Sequence, residues 1–433
     1  MISENKSYFN CVHCGKCLPV CPSYNIGFNE FLSPRGRVRL ILTDYENGTS
    51  LRAAKILESM SSCLLCGRCE KVCPNDVNIT ELVVNEKIKL KEFERKKISS
   101  DKLALNILKD KRKIILKTVL KIANIPFLKK ISGRNAPLPE GKSFIEDRDL
   151  IFNADINKTL KSSKSNLKDS KNIFKVGYFS GCVFNGIYPQ ISIDTAASLT
   201  ENGVEVLVPK MQGCCGLPFI SSGDLKSFKE LAVNNALSFK GKKLDYIVTS
   251  CASCSYSINK LYPKYFNEND ENYAEVQDFS KKLIGIWSFF YELKKHGIDI
   301  KKGKLDKETE AVFHIPCHLS NMPDFKPASS YEKFIGEPGL IADKIDGLKL
   351  KPLKYNYCCG NGGMFNVRHY DLSKKITKRK FEEIKEAAPQ EILTSCSGCM
   401  FSLKDQNGIS KYGKIVPVSH LISIYARSLQ YVK

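Results

Sequence analysis

Long apolar runs are missing from this sequence. No stretch approaches the ~20 residues that a membrane-spanning helix needs, so the chain reads as soluble or peripheral. Met1–Asn10 is polar and the first cysteine follows at Cys11, an expectation of no amino-terminal signal segment and of a cytoplasmic chain. No Gly-x-Gly-x-x-Gly follows a strand pattern, and no P-loop is present. A flavin, NAD or nucleotide therefore has no visible site, and the chain cannot by itself take a hydride from an organic substrate.

Charge of one sign is in excess. The formal net charge is +21, and between Lys87 and Arg134 there are 16 Lys and Arg against 4 Asp and Glu. That stretch reads either as a solvated helical face or as a docking surface for an acidic partner or anionic lipid. Nucleic acid is a poor fit, because the aromatics there are only Phe93 and Phe127 and no recognition motif accompanies them. Within it the amphipathic Lys113–Ile122 segment suits packing against the preceding domain or lying on a membrane surface. Asn157–Asn172, rich in Lys, Ser and Asn, reads as a linker or surface loop.

Eighteen cysteines occur in 433 residues, grouped rather than scattered. A reducing cytosol, where thiolates stay free to bind metal, suits them better than a disulfide framework. Eight form two tandem runs. The first is Cys11-x2-Cys14-x2-Cys17-x3-Cys21-Pro22 and the second is Cys63-x2-Cys66-x2-Cys69-x3-Cys73-Pro74. Three thiolates two residues apart wrap three corners of a cubane, and the fourth, set off by the turn and the proline, ligates the other cluster. One [4Fe–4S] site is therefore Cys11, Cys14, Cys17 and Cys73, and the other is Cys63, Cys66, Cys69 and Cys21. Zinc, the alternative, favours four ligands arranged as two Cys-x2-Cys pairs or with histidine. The 41 residues between Cys21 and Cys63, with helical patterns at Leu40–Asp44 and Ser50–Ser59, point to a helical two-cluster domain rather than a compact ferredoxin.

The other ten cysteines lie in a duplicated unit. Cys182, Cys214-Cys215-Gly216 and Cys251-x2-Cys254 recur as Cys317, Cys358-Cys359-Gly360 and Cys396-x2-Cys399, at offsets of 135, 144 and 145 residues. Short apolar strands (Val204–Val208, Tyr246–Val248, Glu391–Leu393) alternate with helical patterns (Leu225–Phe239, Lys374–Ala387), which argues for two α/β units with small parallel sheets. Each unit is expected to carry its cysteines at the carboxyl ends of strands. Adjacent cysteines share one cubane poorly, because neighbouring side chains diverge; they suit two irons of an open cluster with a fifth thiolate. Gly216, Gly360, Gly362 and Gly363 would keep the backbone close to such a core, where amides can donate to sulfide.

The repeat resembles the cysteine-rich CCG domain of heterodisulfide reductase catalytic subunits. The same domain occurs in glycolate and lactate oxidase iron–sulfur subunits and in one subunit of anaerobic glycerol-3-phosphate dehydrogenase. Cys11-Val12-His13-Cys14-Gly15-Lys16-Cys17, Cys21-Pro22 and Ser33-Pro34-Arg35-Gly36-Arg37 are most similar to the glycolate oxidase iron–sulfur subunit. The resemblance implies two non-cubane [4Fe–4S] clusters beside the two cubane [4Fe–4S] clusters. Cys182, Cys214, Cys215, Cys251 and Cys254 would hold one, and Cys317, Cys358, Cys359, Cys396 and Cys399 the other. Many glycolate oxidase subunits have lost some of these cysteines, whereas this chain keeps all ten. That keeps open a heterodisulfide-reductase-like reading, with Cys358 and Cys359 as candidate catalytic residues at a disulfide.

The expected architecture is α+β and multidomain: a helical dicluster ferredoxin-like domain (1–90), a basic helical segment and linker (91–172), and two α/β CCG units (173–300 and 301–433). The expected role is an iron–sulfur electron-transfer subunit, with an FAD-containing dehydrogenase subunit as donor and a quinone, ferredoxin or other acceptor. His314 and His318 flank Cys317, either as proton or hydrogen-bond donors to the cluster or as packed strand-end residues. His13 reads as a surface or supporting residue. Arg35, Arg37 and Arg39 either tune the first cluster, meet a partner carboxylate or form a solvated face.

Overall fold

In the computed structural model, which describes residues 7–47, 53–93, 174–322, 336–407 and 416–430, the β-branched and aromatic runs become two separate sheets. The first contains β1 (Phe174–Tyr178), β2 (Val204–Leu207), β3 (Tyr246–Thr249) and β4 (Leu283–Gly285), in the order β2-β1-β3-β4. The second contains β5 (Gly303–Phe313), β6 (Ile345–Lys351), β7 (Glu391–Thr394) and β8 (Val418–His420), in the order β6-β5-β7-β8. Every neighbouring pair is parallel. The duplication of cysteine spacing is thus a duplication of fold, strand for strand. Such sheets are covered on both faces, and their central strands read as near-continuous apolar runs: Val176, Tyr178, Val248, Val312, Phe313, Ile392 and Leu393 are all buried.

In both sheets the chain leaves the first central strand toward one edge and returns to the other side of it, so a crevice opens at the carboxyl ends of β1 and β3, and of β5 and β7. Cys182 and Cys251 follow β1 and β3; Cys317 and Cys396 follow β5 and β7. The sheets are tied through their helices. Asn202, at the end of helix Pro189–Glu201, donates to the hydroxyl of Tyr425 on helix Leu421–Ser428 (3.1 Å), which donates to Lys301 O (2.8 Å).

The amino-terminal helices are α1 (Pro34–Asn47), α2 (Ala53–Ser61) and α3 (Ile79–Lys89). The Ser-Pro-Arg-Gly-Arg sequence starts α1: Ser33 Oγ accepts from Gly36 N at 2.8 Å, and Pro34 sits where its missing N–H is no loss. A side chain at Gly36 would collide with Glu30 O, and one helical position later Arg37 turns into the core.

The described residues divide into two compact units. One gathers those within 1–138, 216–230 and 357–380, and the other those within 139–215, 231–356 and 381–433. Both sheets belong to the second. Among the described residues no helix is long and apolar enough to cross a membrane. The Lys113–Ile122 segment, most of the basic stretch and the Asn157–Asn172 linker lie outside the described residues.

Candidate metal centres

In the first unit the two tandem runs share a turn over their first five residues, after which the second enters a short helix, Arg68–Lys71. The third and fifth residues of each are left-handed: His13 (φ 53°) and Gly15 (φ 81°) in one, Leu65 (φ 55°) and Gly67 (φ 66°) in the other. Alternating hand turns successive amides inward and forms a concavity that favours an anion. Leu65 N lies 3.4 Å from Cys63 Sγ, and Val77 N lies 3.5 Å from Cys73 Sγ. His13 is exposed and takes a left-handed position that residues other than glycine adopt less readily. Arg35 fixes that turn from outside: it donates to His13 O at 3.3 Å and is paired with Glu30.

Cys11, Cys14, Cys17 and Cys73 line one cavity. The fourth cysteine of the second run is therefore brought to the first three of the first run. Cys21 is within electrostatic reach of thiols of both runs, Cys17 in the first and Cys66 and Cys69 in the second. Burial pushes the Cys66 thiol up to about 11 and Cys69 well above its ordinary value, and Cys63 and Cys21 add to both. Thiols so placed resist ionisation unless positive charge is supplied between them, which is what a multi-iron core does. The two sites differ in access: Cys14 is exposed, whereas Cys21, Cys66 and Cys69 are buried. The three arginines of the basic run have separate places, with Arg35 on the first turn, Arg37 buried and Arg39 exposed.

In the second unit the five cysteines of the first repeat converge. Cys214 hydrogen-bonds with Cys182 and Cys215, which together with burial push its thiol far up; Cys254 is raised in the same way by Cys215 and Cys251. A Cβ added to Gly181 would lie 2.9 Å from Cys254 Sγ, so the turn carrying Cys182 presses on that thiol. The Cys-Cys backbone is clamped by Asn235, which accepts from Gly213 N (2.8 Å) and donates to Cys214 O (2.8 Å) and to the Tyr262 hydroxyl (3.2 Å). Ser257, in a single π-helical turn after Cys254, donates to Cys215 O at 2.8 Å.

The two Cys-x2-Cys turns face each other across the second unit. Cys251 Sγ lies 3.1 Å from Ser397 Oγ, Cys396 Sγ lies 3.0 Å from Ser253 Oγ, and Ala252 N donates to Ser395 O at 2.9 Å. Hydrogen bonds with Cys254 and Cys396 lower the Cys251 thiol well below its ordinary value. Of the second repeat, Cys317, Cys396 and Cys399 belong to this unit, and Cys358 and Cys359 to the first. His318 Nδ1 lies 2.9 Å from Ser253 Oγ, and its ring stacks on Tyr256 at 4.6 Å. His314 is buried at the end of β5, where its backbone pairs with Leu393 and Thr394.

Comparison with known proteins gives these geometries a family. Residues 176–259 and 311–404 each match the cysteine-rich CCG domain, and residues 7–77 match a 4Fe-4S dicluster domain. Together these matches span more than half of the chain. It belongs to the CCG-domain iron–sulfur proteins. A probable glycolate oxidase iron–sulfur subunit of Bacillus subtilis is 26% identical over 95% of this chain and 93% of its own length. A subunit of the fumarate reductase (CoM/CoB) of Methanothermobacter marburgensis is 24% identical over 93% of this chain and 68% of its own. A hypothetical protein from Helicobacter pylori, known from its crystal structure, shares the fold with a TM-score of 0.51 and 10% identity, covering 92% of this chain and 68% of that one. As a CCG-domain protein the chain binds [4Fe–4S] clusters.

Within the CCG repeats the glycine after each cysteine pair has the same conformation, φ 82° at both Gly216 and Gly360. An added Cβ would strike Phe228 at 2.6 Å in the first and Thr377 Oγ1 at 2.4 Å in the second. Room for a packed helix is thus part of what these glycines provide, beside the amide from Gly360 N to Cys358 Sγ at 3.4 Å. Sequence reasoning missed Asn235, Tyr262, Ser253 and Ser397, whose ordinary residue types lie far along the chain from the cysteines they support. The first CCG repeat also carries a cavity of about 400 Å³ beside Cys251, lined by Ser250, Trp287, Ser288, Tyr291 and Glu337.

Proposed function

We propose that this CCG-domain protein is the electron-transferring iron–sulfur subunit of an FAD-dependent 2-hydroxy-acid dehydrogenase complex acting on glycolate or lactate. Electrons from a flavoprotein partner would pass singly through it to a quinone, ferredoxin or other acceptor. This reading rests on the near full-length similarity to a glycolate oxidase iron–sulfur subunit. The lack of a dinucleotide or P-loop motif supports it, because the substrate-oxidising step then needs a second chain.

The cubane ligands would be Cys11, Cys14, Cys17 and Cys73 in one site and Cys63, Cys66, Cys69 and Cys21 in the other. The non-cubane sets would be Cys182, Cys214, Cys215, Cys251 and Cys254, and Cys317, Cys358, Cys359, Cys396 and Cys399. When bound, such clusters accept and release one electron at a time. The chain's own contribution is to gather the thiols, aim amides at them and, around the second cubane, keep water out. Four clusters require about 16 iron atoms per chain. Purification with native partners tests the functional reading: flavin and glycolate or lactate oxidation should reside in a co-purifying chain. A subunit isolated alone, free of flavin yet fully active with either acid, would overturn it.

A second reading is disulfide cleavage at a CCG site, in which two electrons and two protons convert one disulfide into two thiols. The complete set of ten cysteines favours it. Replacing Cys358 and Cys359 by Ser should then abolish disulfide reduction and leave the cubane signals intact; unchanged turnover would count against it.

A further inference from the structure

The core of the first unit holds two basic side chains with no anion of the protein paired to them. Arg37 is 1% exposed and Lys87 is 2% exposed. The guanidinium of Arg37 donates only to neutral oxygens, Nε to Ser59 O at 3.0 Å and Nη2 to Ser62 O, Ser62 Oγ and Ser23 Oγ at 3.1, 2.9 and 3.2 Å. Lys87 Nζ donates to Ser221 O at 3.0 Å. Among the described residues neither forms an ion pair. Burial, with the like charges of Arg368, Arg37 and Lys91 beside it, pushes the Lys87 ammonium down to about 7. A buried charge left without a partner is strongly destabilising, and hydrogen bonds to carbonyls alone do not offset it.

Arg37 is bonded to residues beside these cysteines, and Lys87 is within electrostatic reach of one of them. Ser23 Oγ, which accepts from Arg37, is 3.3 Å from Cys21 Sγ. Ser62, which accepts twice from Arg37, precedes Cys63, and Cys63 is the group of opposite sign that acts on Lys87. A cluster held by four thiolates is a net anion and gains one further negative charge on reduction; net charge is among the factors that set its potential. The exposed first cubane site has a different environment. Its adjacent arginine, Arg35, is partly exposed and already paired with Glu30.

We propose that Arg37 and Lys87 are the built-in counter-charge of the second cubane, the site of Cys21, Cys63, Cys66 and Cys69, and that they raise its reduction potential. The inference rests on the ligand reading above. On reduction one electron enters the cluster, no bond of the protein changes, and the two cations favour the added charge.

The test is a redox titration of the full-length, cluster-loaded chain followed by electron paramagnetic resonance, with wild type compared with Lys87→Met, Lys87→Arg, Arg37→Met and Arg37→Lys. In each Met variant the reduction equilibrium of the second cubane should fall about tenfold or more, which is ~59 mV for a one-electron couple. The first cubane should not move, and the charge-keeping variants should stay near wild type. Should Arg37→Met fail to take up iron, Lys87→Met, which removes a single bond to a carbonyl, decides the matter. A wild-type chain with a single cubane signal would overturn the ligand assignment. Two signals of which neither moves, or which move together, would overturn the inference alone. An iron-free comparison gives an independent readout: Lys87→Met apoprotein should resist urea better than wild-type apoprotein, and the order should reverse when the clusters are present. A purely structural lysine would give the same order in both states.

Discussion

Asn235 is wholly buried, and both ends of its amide are used on the Cys-Cys turn and on Tyr262. Replacing it by Ala strands Gly213 N–H and Cys214 C=O away from water, at about 1–3 kcal/mol for each unsatisfied group. The expected outcome is that Asn235→Ala loses the iron of the first CCG site while the cubane signals keep their intensity. Iron analysis and electron paramagnetic resonance on the same sample check it, and full iron content would refute it. This residue also marks the limit of reading a site from sequence. The cysteines were legible because a metal core needs a particular atom type at a particular spacing. Asn235 lies 20 residues past the pair, in a helix whose pattern announces only amphipathic packing, and its partners are backbone atoms that any sequence would supply. Ser253 and Ser397 are illegible for the same reason, although each touches a cysteine of the opposite repeat.

At the scale of elements, the Cys-Cys-Gly turn couples a sharp backbone reversal to a helix packed behind it. Gly360 has φ 82° and a Cβ there would lie 2.4 Å from Thr377 Oγ1, while Thr377 itself donates to Cys359 O at 2.8 Å. Gly203 has nearly the same φ, 77°, with nothing near its missing Cβ. The pair separates two effects. Gly203→Ala meets only the left-handed penalty, about 1–2 kcal/mol. Gly360→Ala adds overpacking, typically about 1–3 kcal/mol more, and pushes Thr377 off the cysteine it supports. Denaturant unfolding of both variants should therefore show Gly360→Ala as the more destabilised, with a bleached visible spectrum at lower denaturant; equal midpoints would show that the helix yields freely. Several strands and helices were legible to within a few residues, as Val204–Leu207, Tyr246–Thr249 and Leu225–Phe239 attest, because apolar periodicity and β-branched runs act locally, whereas β4, β6 and β8 were not read. That residues 216–230 and 357–380 join the amino-terminal segment in one unit was not, since it depends on contacts between parts of the chain hundreds of residues apart.

Across the whole molecule, the first unit sets an exposed cysteine run, a more enclosed one and the Cys358–Cys359 loop in one compact body. The first cysteine run is at the surface: Val12, His13 and Cys14 are exposed. Two of the four thiols of the second run, Cys66 and Cys69, are buried, as are the basic side chains Arg37 and Lys87. Beyond it the loop of Cys358 and Cys359 rests on the second run, for a Cβ at Gly362 would lie 3.0 Å from the Leu64 backbone, and Ser61 Oγ meets His369 Nε2 at 2.8 Å. An electron donor can approach the first run, whereas the second is more enclosed, so on the ligand sets proposed above the second would be the step between the surface and Cys358 and Cys359. Cys66→Ser, which removes one buried ligand, should interrupt the relay there. The first cubane should still be reduced within mixing time by a large protein donor too bulky to enter the core, while reduction of the remaining clusters by the same donor slows at least about tenfold, equivalent to about 1.4 kcal/mol. A small dye that permeates the protein serves as the control, because it should reduce the other clusters in the variant and the wild type alike. Stopped-flow absorbance with rapid freezing separates the signals. Were the CCG clusters of Cys66→Ser to fill from the large donor as fast as in the wild type, electrons would be entering by another face, and the order of sites argued from enclosure would be wrong.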